Sequence, residues 1–330
     1  MNDIGIYVLK DGGNTEYNYS NLVEKVVWSG RKGAAPRNLT VTFADSEGYG
    51  LDRAIINAET GQFIQFFESG KELFRGWIMT DTRNKTRKLT IKAYDSLVKM
   101  TNNKSSFSYK NKRADQIFVD CCNQLGLKLG GYDKTEKVLS EVTKSACTYW
   151  DIVQEALSQT YQATGKRFYV FYEKGYVYLR RRVASAEKLI LSNASNTTSY
   201  EMTKSIYDTR TRLKMVTSKN KLKKLWKDEE LEAQIGVFQD IKSIDKDITQ
   251  TELDQIVNTF AREKAVASVT MTWDGIGDSS VKAGDVVQLS NDHLNIHREV
   301  YVEEDTHTWE KGAHTMKLKL NFAANIDEAG

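Results

Sequence analysis

Between Cys147 and Arg182 the apolar residues recur first with the period of a helix and then with that of a strand. Tyr149, Ile152, Val153, Ala156, Leu157, Thr160 and Tyr161 follow i, i+3, i+4 spacing, which lays them along one buried helical face. Thr148 stands where an N-cap belongs, and Asp151, three residues on, completes a capping box. Gly165 supplies the stop, because it can take the left-handed conformation that ends a helix. Residues 167–172 and 176–180 then alternate about Glu173, Lys174 and Gly175, the pattern of a hairpin. Helix, stop, strand, turn and strand follow without slack. The stretch reads as a packing module.

On either side the pattern is that of strands. Within residues 1–104, short alternating runs at 4–9, 22–28, 39–43, 63–67, 73–79 and 88–94 are separated by turn signals at Asp11-Gly12-Gly13, Ser69-Gly70 and Asn84-Lys85. In the last run Leu89, Ile91 and Ala93 share one face, as in an antiparallel strand with one side covered. A barrel or sandwich is the architecture expected for such a segment. Residues 105–183 switch to mixed α/β, with Ala114, Ile117, Phe118, Cys121 and Leu125 at helical spacing before Gly126. Residues 184–330 return to strands at 269–273, 286–289, 300–304 and 315–321, with one helix expected near 250–268. Thr249 and Glu252 form that helix's capping box, and Leu253, Ile256, Val257, Phe260 and Ala261 its apolar stripe. The final hairpin is expected to turn at Lys311-Gly312.

Composition narrows the class. A chain of 330 residues is too long for one ordinary core and suggests two or three domains. Hydrophobic residues at 40% exclude general disorder. The formal charge of +3, from 47 basic and 44 acidic residues, argues against a dedicated nucleic-acid binder. Three cysteines, two of them adjacent at Cys121 and Cys122, read as free thiols in a reducing compartment. Without a secretory pattern at the start or an apolar run near the ~20 residues of a membrane span, assembly in the cytoplasm is expected. A single proline, Pro36, points to short, ordered junctions between domains.

Candidate chemistry is sparse. His293, His297, His307 and His314 all lie late in the chain. A two-residue turn at Lys311-Gly312 pairs Trp309 with His314 and His307 with Met316, which brings His307 and His314 diagonally together on one face. That geometry suits two metal ligands, but nothing nearby completes a zinc site, so they read as half-exposed strand residues. Glu303, Glu304 and Asp305 read as an exposed strand edge, since neighbours alternate between faces. Asp274, Asp278 and Asp285 flank a glycine-rich stretch whose spacing is too loose for a calcium loop, and Gly275, Gly277 and Gly284 read as turn glycines. The basic stretch 219–227 carries Trp226 among lysines but runs straight into Asp228, Glu229 and Glu230, so a solvated hairpin tip or loop is favoured over a nucleic-acid patch. No catalytic, cofactor-binding or metal-binding residue is assigned, and no enzymatic activity or cofactor is expected. A nucleic-acid-binding β-barrel protein and a cell-wall hydrolase remain as alternatives.

The ordered series 113–118, 125–127, 149–157 and 164–170 resembles the XkdQ/YqbQ-type baseplate hub proteins of prophages and phage-tail-like bacteriocins of Gram-positive bacteria. The likeness continues through 208–213, 281–287 and 307–318, and earlier at 73–78 and 93–97, so it covers essentially the whole chain. It implies a structural hub at the tip of a contractile tail: an α+β, mainly β chain with two tail-tube-like antiparallel β-barrel domains, residues 1–104 and 184–330, and a small α/β domain, residues 105–183, between them. It implies a homotrimeric ring that adapts a three-fold spike to a hexameric, six-fold tail tube, with tape measure and baseplate wedge proteins as further partners. No membrane span and no specific nucleic-acid binding go with it. Phe74, Trp77 and Trp226 are expected to lie partly in subunit contacts.

Overall fold

Alternation in the first segment builds strands in the computed structural model, which describes residues 4–13, 15–44, 56–85, 88–182, 189–244 and 248–322. These strands are β1 (Ile4–Lys10), β2 (Thr15–Asn18), β3 (Val23–Arg31), β4 (Ala34–Ala44), β5 (Phe63–Glu68), β6 (Lys71–Arg83) and β7 (Lys88–Tyr94). They run in the order β3-β4-β7-β6-β5-β1-β2, every neighbour antiparallel. Inward-facing Ile6, Val26, Trp28, Val41, Phe66 and Ile91 are buried in one core although their strands lie far apart in that order, so the sheet curls over its own apolar face.

The α/β module comprises α1 (Val98–Asn102), β8 (Lys104–Arg113), α2 (Ala114–Gln124), β9 (Leu129–Tyr132), β10 (Val138–Thr148), α3 (Tyr149–Thr164), β11 (Phe168–Glu173) and β12 (Tyr176–Arg181). Its capping chemistry is the one the sequence specifies. Thr148 Oγ1 accepts from Asp151 N at 3.0 Å, Asp151 Oδ2 accepts from Thr148 N at 2.9 Å, and Gly165 closes α3 at φ 72°. Ile152, Val153, Ala156 and Leu157 pack with Ile117, Phe118, Cys121 and Cys122 of α2 in a second core. Trp150 lies off the stripe read from the sequence yet is buried as well, and its indole N–H donates to Gly33 O at 3.1 Å, tying the module to the β3–β4 turn.

The last segment contributes β13 (Ile190–Ser192), β14 (Thr197–Ser205), β15 (Arg212–Thr217), β16 (Leu222–Lys227), α4 (Glu229–Ile235), β17 (Gln239–Ile244), α5 (Gln250–Lys264), β18 (Ser268–Ile276), β19 (Val286–Asn291), β20 (Ile296–Glu310) and β21 (Ala313–Asn321). Helix α5 carries the expected Thr249–Glu252 capping box but stops at Lys264, and Ser268 already belongs to β18.

Two separate barrels do not form among the described residues. The long strand β20 pairs with β19 over its first half, then with β3 from Glu304–Arg31 to Glu310–Lys25. That exchange of partners fuses both β-rich segments into one open 13-stranded sheet, β14-β18-β21-β20-β3-β4-β7-β6-β5-β1-β2 with β13 and β19 alongside. Strands β16-β15-β17 form a sheet of their own, covered by α5 through a core of Leu213, Met215, Ile244, Leu253 and Val257. The parallel β15–β17 pair needs a crossover, which α4 supplies, and this small α/β unit stands within what the sequence suggested was one barrel. The chain is mainly β, as expected. The junction at 183/184 falls outside the described residues.

Candidate assembly site and the buried seam

The β3–β20 pairing brings together residues from both ends of the chain, and the polar ones are held by specific partners. Asp305 on β20 is fully buried, and Arg37 on β4 grips it with two guanidinium nitrogens, Nη1 at 2.8 Å from Oδ1 and Nη2 on Oδ2. Ala283 N donates to the same carboxylate at 2.6 Å. The Arg37 guanidinium lies 4.0 Å over the Trp28 ring, and Gly30 leaves the space a Cβ would take from it.

One face along, His307 and His314 meet as their register requires, His307 opposite Met316 and Trp309 opposite His314. His307 Nε2 lies 2.9 Å from Val281 O, and a carbonyl only accepts, so that nitrogen carries the proton. Its Nδ1 therefore accepts from His314 Nε2 at 3.1 Å. His314 stacks on Trp309, with 4.1 Å between ring centroids, and points Nδ1 at Glu68 Oε1, 3.3 Å away on β5. Trp309 Nε1 donates to that same oxygen at 2.7 Å. Burial is the main cause that lowers both imidazole pKa values, with His314 brought to about 4 against the opposing pull of Glu68. At neutral pH both rings are neutral, so His314 carries its one proton on Nε2 and turns only a lone pair toward Glu68; the Trp309 Nε1–H bond to Glu68 is what joins the two β-rich segments here.

Two sequence expectations are corrected here. Asp305 is not an exposed edge residue, because β3 covers that edge. His307 and His314 are not half-exposed, because the curled sheet closes over them. His293 and His297 are exposed. Among the described residues no group of three His, Cys, Asp or Glu side chains is placed to hold a metal ion. Of the three glycines read as turn residues, only Gly284 has positive φ. Gly275 instead makes room for the Trp273 ring and Asn196 O, and Gly277 for the His314 ring.

The remaining candidates separate cleanly. All three cysteines are free and buried, and burial pushes the Cys121 thiol up to about 12. The basic stretch 219–227 forms the β15–β16 turn and β16 itself, with Lys224 on Asp254 at 2.6 Å and Lys227 on Glu229 at 2.6 Å. Trp226 packs edge-on against Phe260 within the small unit, and Phe74 is buried in the first core. Phe74 is thus removed from the set of surface aromatics. Trp77 stays 38% exposed beside exposed Met79 on β6, an apolar face open to a partner. No described helix is long and apolar enough to cross a membrane.

A cleft with a volume of about 440 Å³ separates the α/β module from the main sheet, bounded by α3, β11, the β3–β4 turn and residues 280–285. Ser96 Oγ donates to Tyr172 Oη at 3.2 Å and Lys282 Nζ to Glu173 Oε1 at 3.4 Å across it.

This arrangement, a curled antiparallel sheet extended by a second β unit with a small α/β module packed against it, is the fold of solved phage-tail proteins. The 43 kDa tail protein of prophage MuSo2 from Shewanella oneidensis superposes with a TM-score of 0.70 at 12% identity, covering 97% of this chain and 96% of that one. The E. coli c3393 protein, described as a type VI secretion component similar to the T4 bacteriophage tail proteins gp27 and gp5, gives 0.57 at 10% identity over 92% of this chain and 76% of its own. The YQBQ-like family model matches residues 26–321, and the chain belongs to that family. Similarity extends to the phage-like element PBSX protein XkdQ of Bacillus subtilis (strain 168), 29% identical over 321 residues and 96% of either chain.

Proposed function

We propose that the chain is the structural baseplate hub of a contractile tail or tail-like particle, a trimeric ring that adapts a three-fold spike to a six-fold tail tube. The observation that carries this reading is the match, over nearly the full length, to the YQBQ-like family, which is shared with a protein of a phage-like element, and to the fold of a solved prophage tail protein. A subunit with two β units fused along one seam suits the task, since three such subunits offer six β surfaces in a ring. On this reading residues 1–104 and 184–330 are the two tube-facing units, and residues 105–183 brace them. Partners are further copies of the chain, the tube protein, the spike, the tape measure and the baseplate wedges. Assembly takes place in the bacterial cytoplasm, and the role is structural, without catalysis. Trp77 and Met79 supply apolar surface for one of these contacts. Sedimentation of the purified chain tests the proposal: a trimer that co-sediments with tube rings supports it, and a monomer indifferent to tube protein overturns it.

A further inference from the structure

Strand β11 is an edge. Among the described residues it pairs only with β12, from Phe168–Arg181 to Glu173–Tyr176. The two-residue turn Lys174-Gly175 makes Glu173 and Tyr176 a hydrogen-bonded pair, so alternate residues Phe168, Val170 and Tyr172 turn their N–H and C=O groups away from β12. No hydrogen bond among the described residues reaches those outward groups. At ~3.4 Å per residue they form a row about 14 Å long. Edge strands are normally blunted by proline, lysine or a bulge, and Phe168-Tyr169-Val170-Phe171-Tyr172-Glu173 has none of these. It faces the cleft, and all six of its residues line it.

The charge of the cleft selects what can enter. Lys32, Arg167 and Arg182 all line the cleft; Glu303 pairs with Lys32 and Glu263 with Arg167, and neither of those acids is part of the lining. Burial first, and then repulsion from Arg182 and Arg167, lowers the Lys32 pKa, as expected of cations crowded around an empty volume. Three acids line the cleft against six cations (Arg31, Lys32, Arg37, Arg167, Arg182 and Lys282): Glu173 is paired with Lys282 at 3.4 Å, burial raises Asp285, and burial brings Asp95 to about 7. We propose that this cleft is a docking site for an extended, carboxylate-bearing segment of a partner chain, which adds as a strand to the outer edge of β11 and places its carboxylate among Lys32, Arg167 and Arg182. Main-chain bonds to β11 supply affinity, and the cations fix the register.

This site can be tested whether or not the chain builds a ring. The probes are acetylated, amidated heptapeptides of alternating valine and threonine, with one glutamate moved through every position. Binding to the full chain is read by fluorescence anisotropy and by hydrogen exchange at Phe168, Val170 and Tyr172. The expected result is saturable binding with protection of those three amides, weakened about tenfold or more when the glutamate becomes glutamine or moves out of register. Alternate N-methylation of the peptide abolishes it. Val170→Pro removes an outward N–H without removing a bond to β12, and is expected to abolish binding; Lys32→Gln, milder for the fold, is expected to weaken it about tenfold. Three results overturn the proposal. The first is no peptide saturating below ~1 mM. The second is binding that citrate displaces and N-methylation leaves unchanged, the mark of a simple anion site. The third is outward amides already protected in the chain alone, which would mean that a neighbouring copy holds the edge.

Discussion

Replacing Asp305 by asparagine keeps the shape of the side chain and leaves the Arg37 guanidinium buried without its counter-charge. The wild-type carboxylate is wholly buried, the arginine side chain is 16% exposed, and Asp305 accepts two guanidinium bonds and one main-chain N–H. Breaking a buried pair of this kind from one side costs ~3–5 kcal/mol, most of it the desolvated charge left behind. With an m-value of ~3 kcal/mol/M, the urea midpoint falls by roughly 1–1.7 M. Tryptophan fluorescence reports it directly, because the Trp28 ring lies against the Arg37 guanidinium. Replacing both partners, Arg37→Met with Asp305→Leu, removes both charges and is expected to recover most of the loss. Coupling of ~2 kcal/mol or more in that cycle marks the pair as the staple of the β3–β20 seam. Asp305→Asn within ~1 kcal/mol of wild type, or additivity of the two changes, would refute that account.

Three further outcomes are expected. The folded-state pKa of His314 is lowered from its ordinary value to about 4, so the unfolded chain takes up the proton first as pH falls. Stability that is complete above pH ~6.5 is therefore lost progressively toward pH 4, by ~3 kcal/mol at ~1.36 kcal/mol per unit, and His314→Gln flattens the pH dependence of the urea midpoint. Thr148→Ala removes the α3 cap and costs ~1 kcal/mol, read as a lower urea midpoint. Cys121, pushed up to about 12 by burial, and Cys122, pushed higher still, label with iodoacetamide at pH 8 about a thousand times more slowly than a free thiol, unless urea is added.

What could be read from the chain was local. Caps, glycine stops and two-residue turns depend on residues within a few positions of one another, and Thr148, Asp151, Gly165, Thr249 and the Lys311-Gly312 turn all act as their types dictate. The meeting of His307 and His314 was legible for the same reason, since register follows from the turn. Their burial was not, because it depends on β3 and Glu68 more than two hundred residues away. The same distance hides Arg37 as the partner of Asp305 and the fusion of the outer segments into one sheet. Trp150 escaped because its contact, Gly33 O, lies in another segment. A burial stripe says which face is covered and nothing about what covers it. The small β15–β16–β17 unit was missed because its strands, with exposed Leu225 and Ile241, alternate no differently from those of the sheet around it.

The central claim is a ring that matches three-fold to six-fold symmetry. Electron-microscopic imaging of the purified chain mixed with its tail-tube protein tests it most directly. The account predicts three-fold rings, each seated coaxially on a six-fold tube with both β units of every subunit against it. Isolated monomers beside bare tubes, or rings of another order, would contradict it.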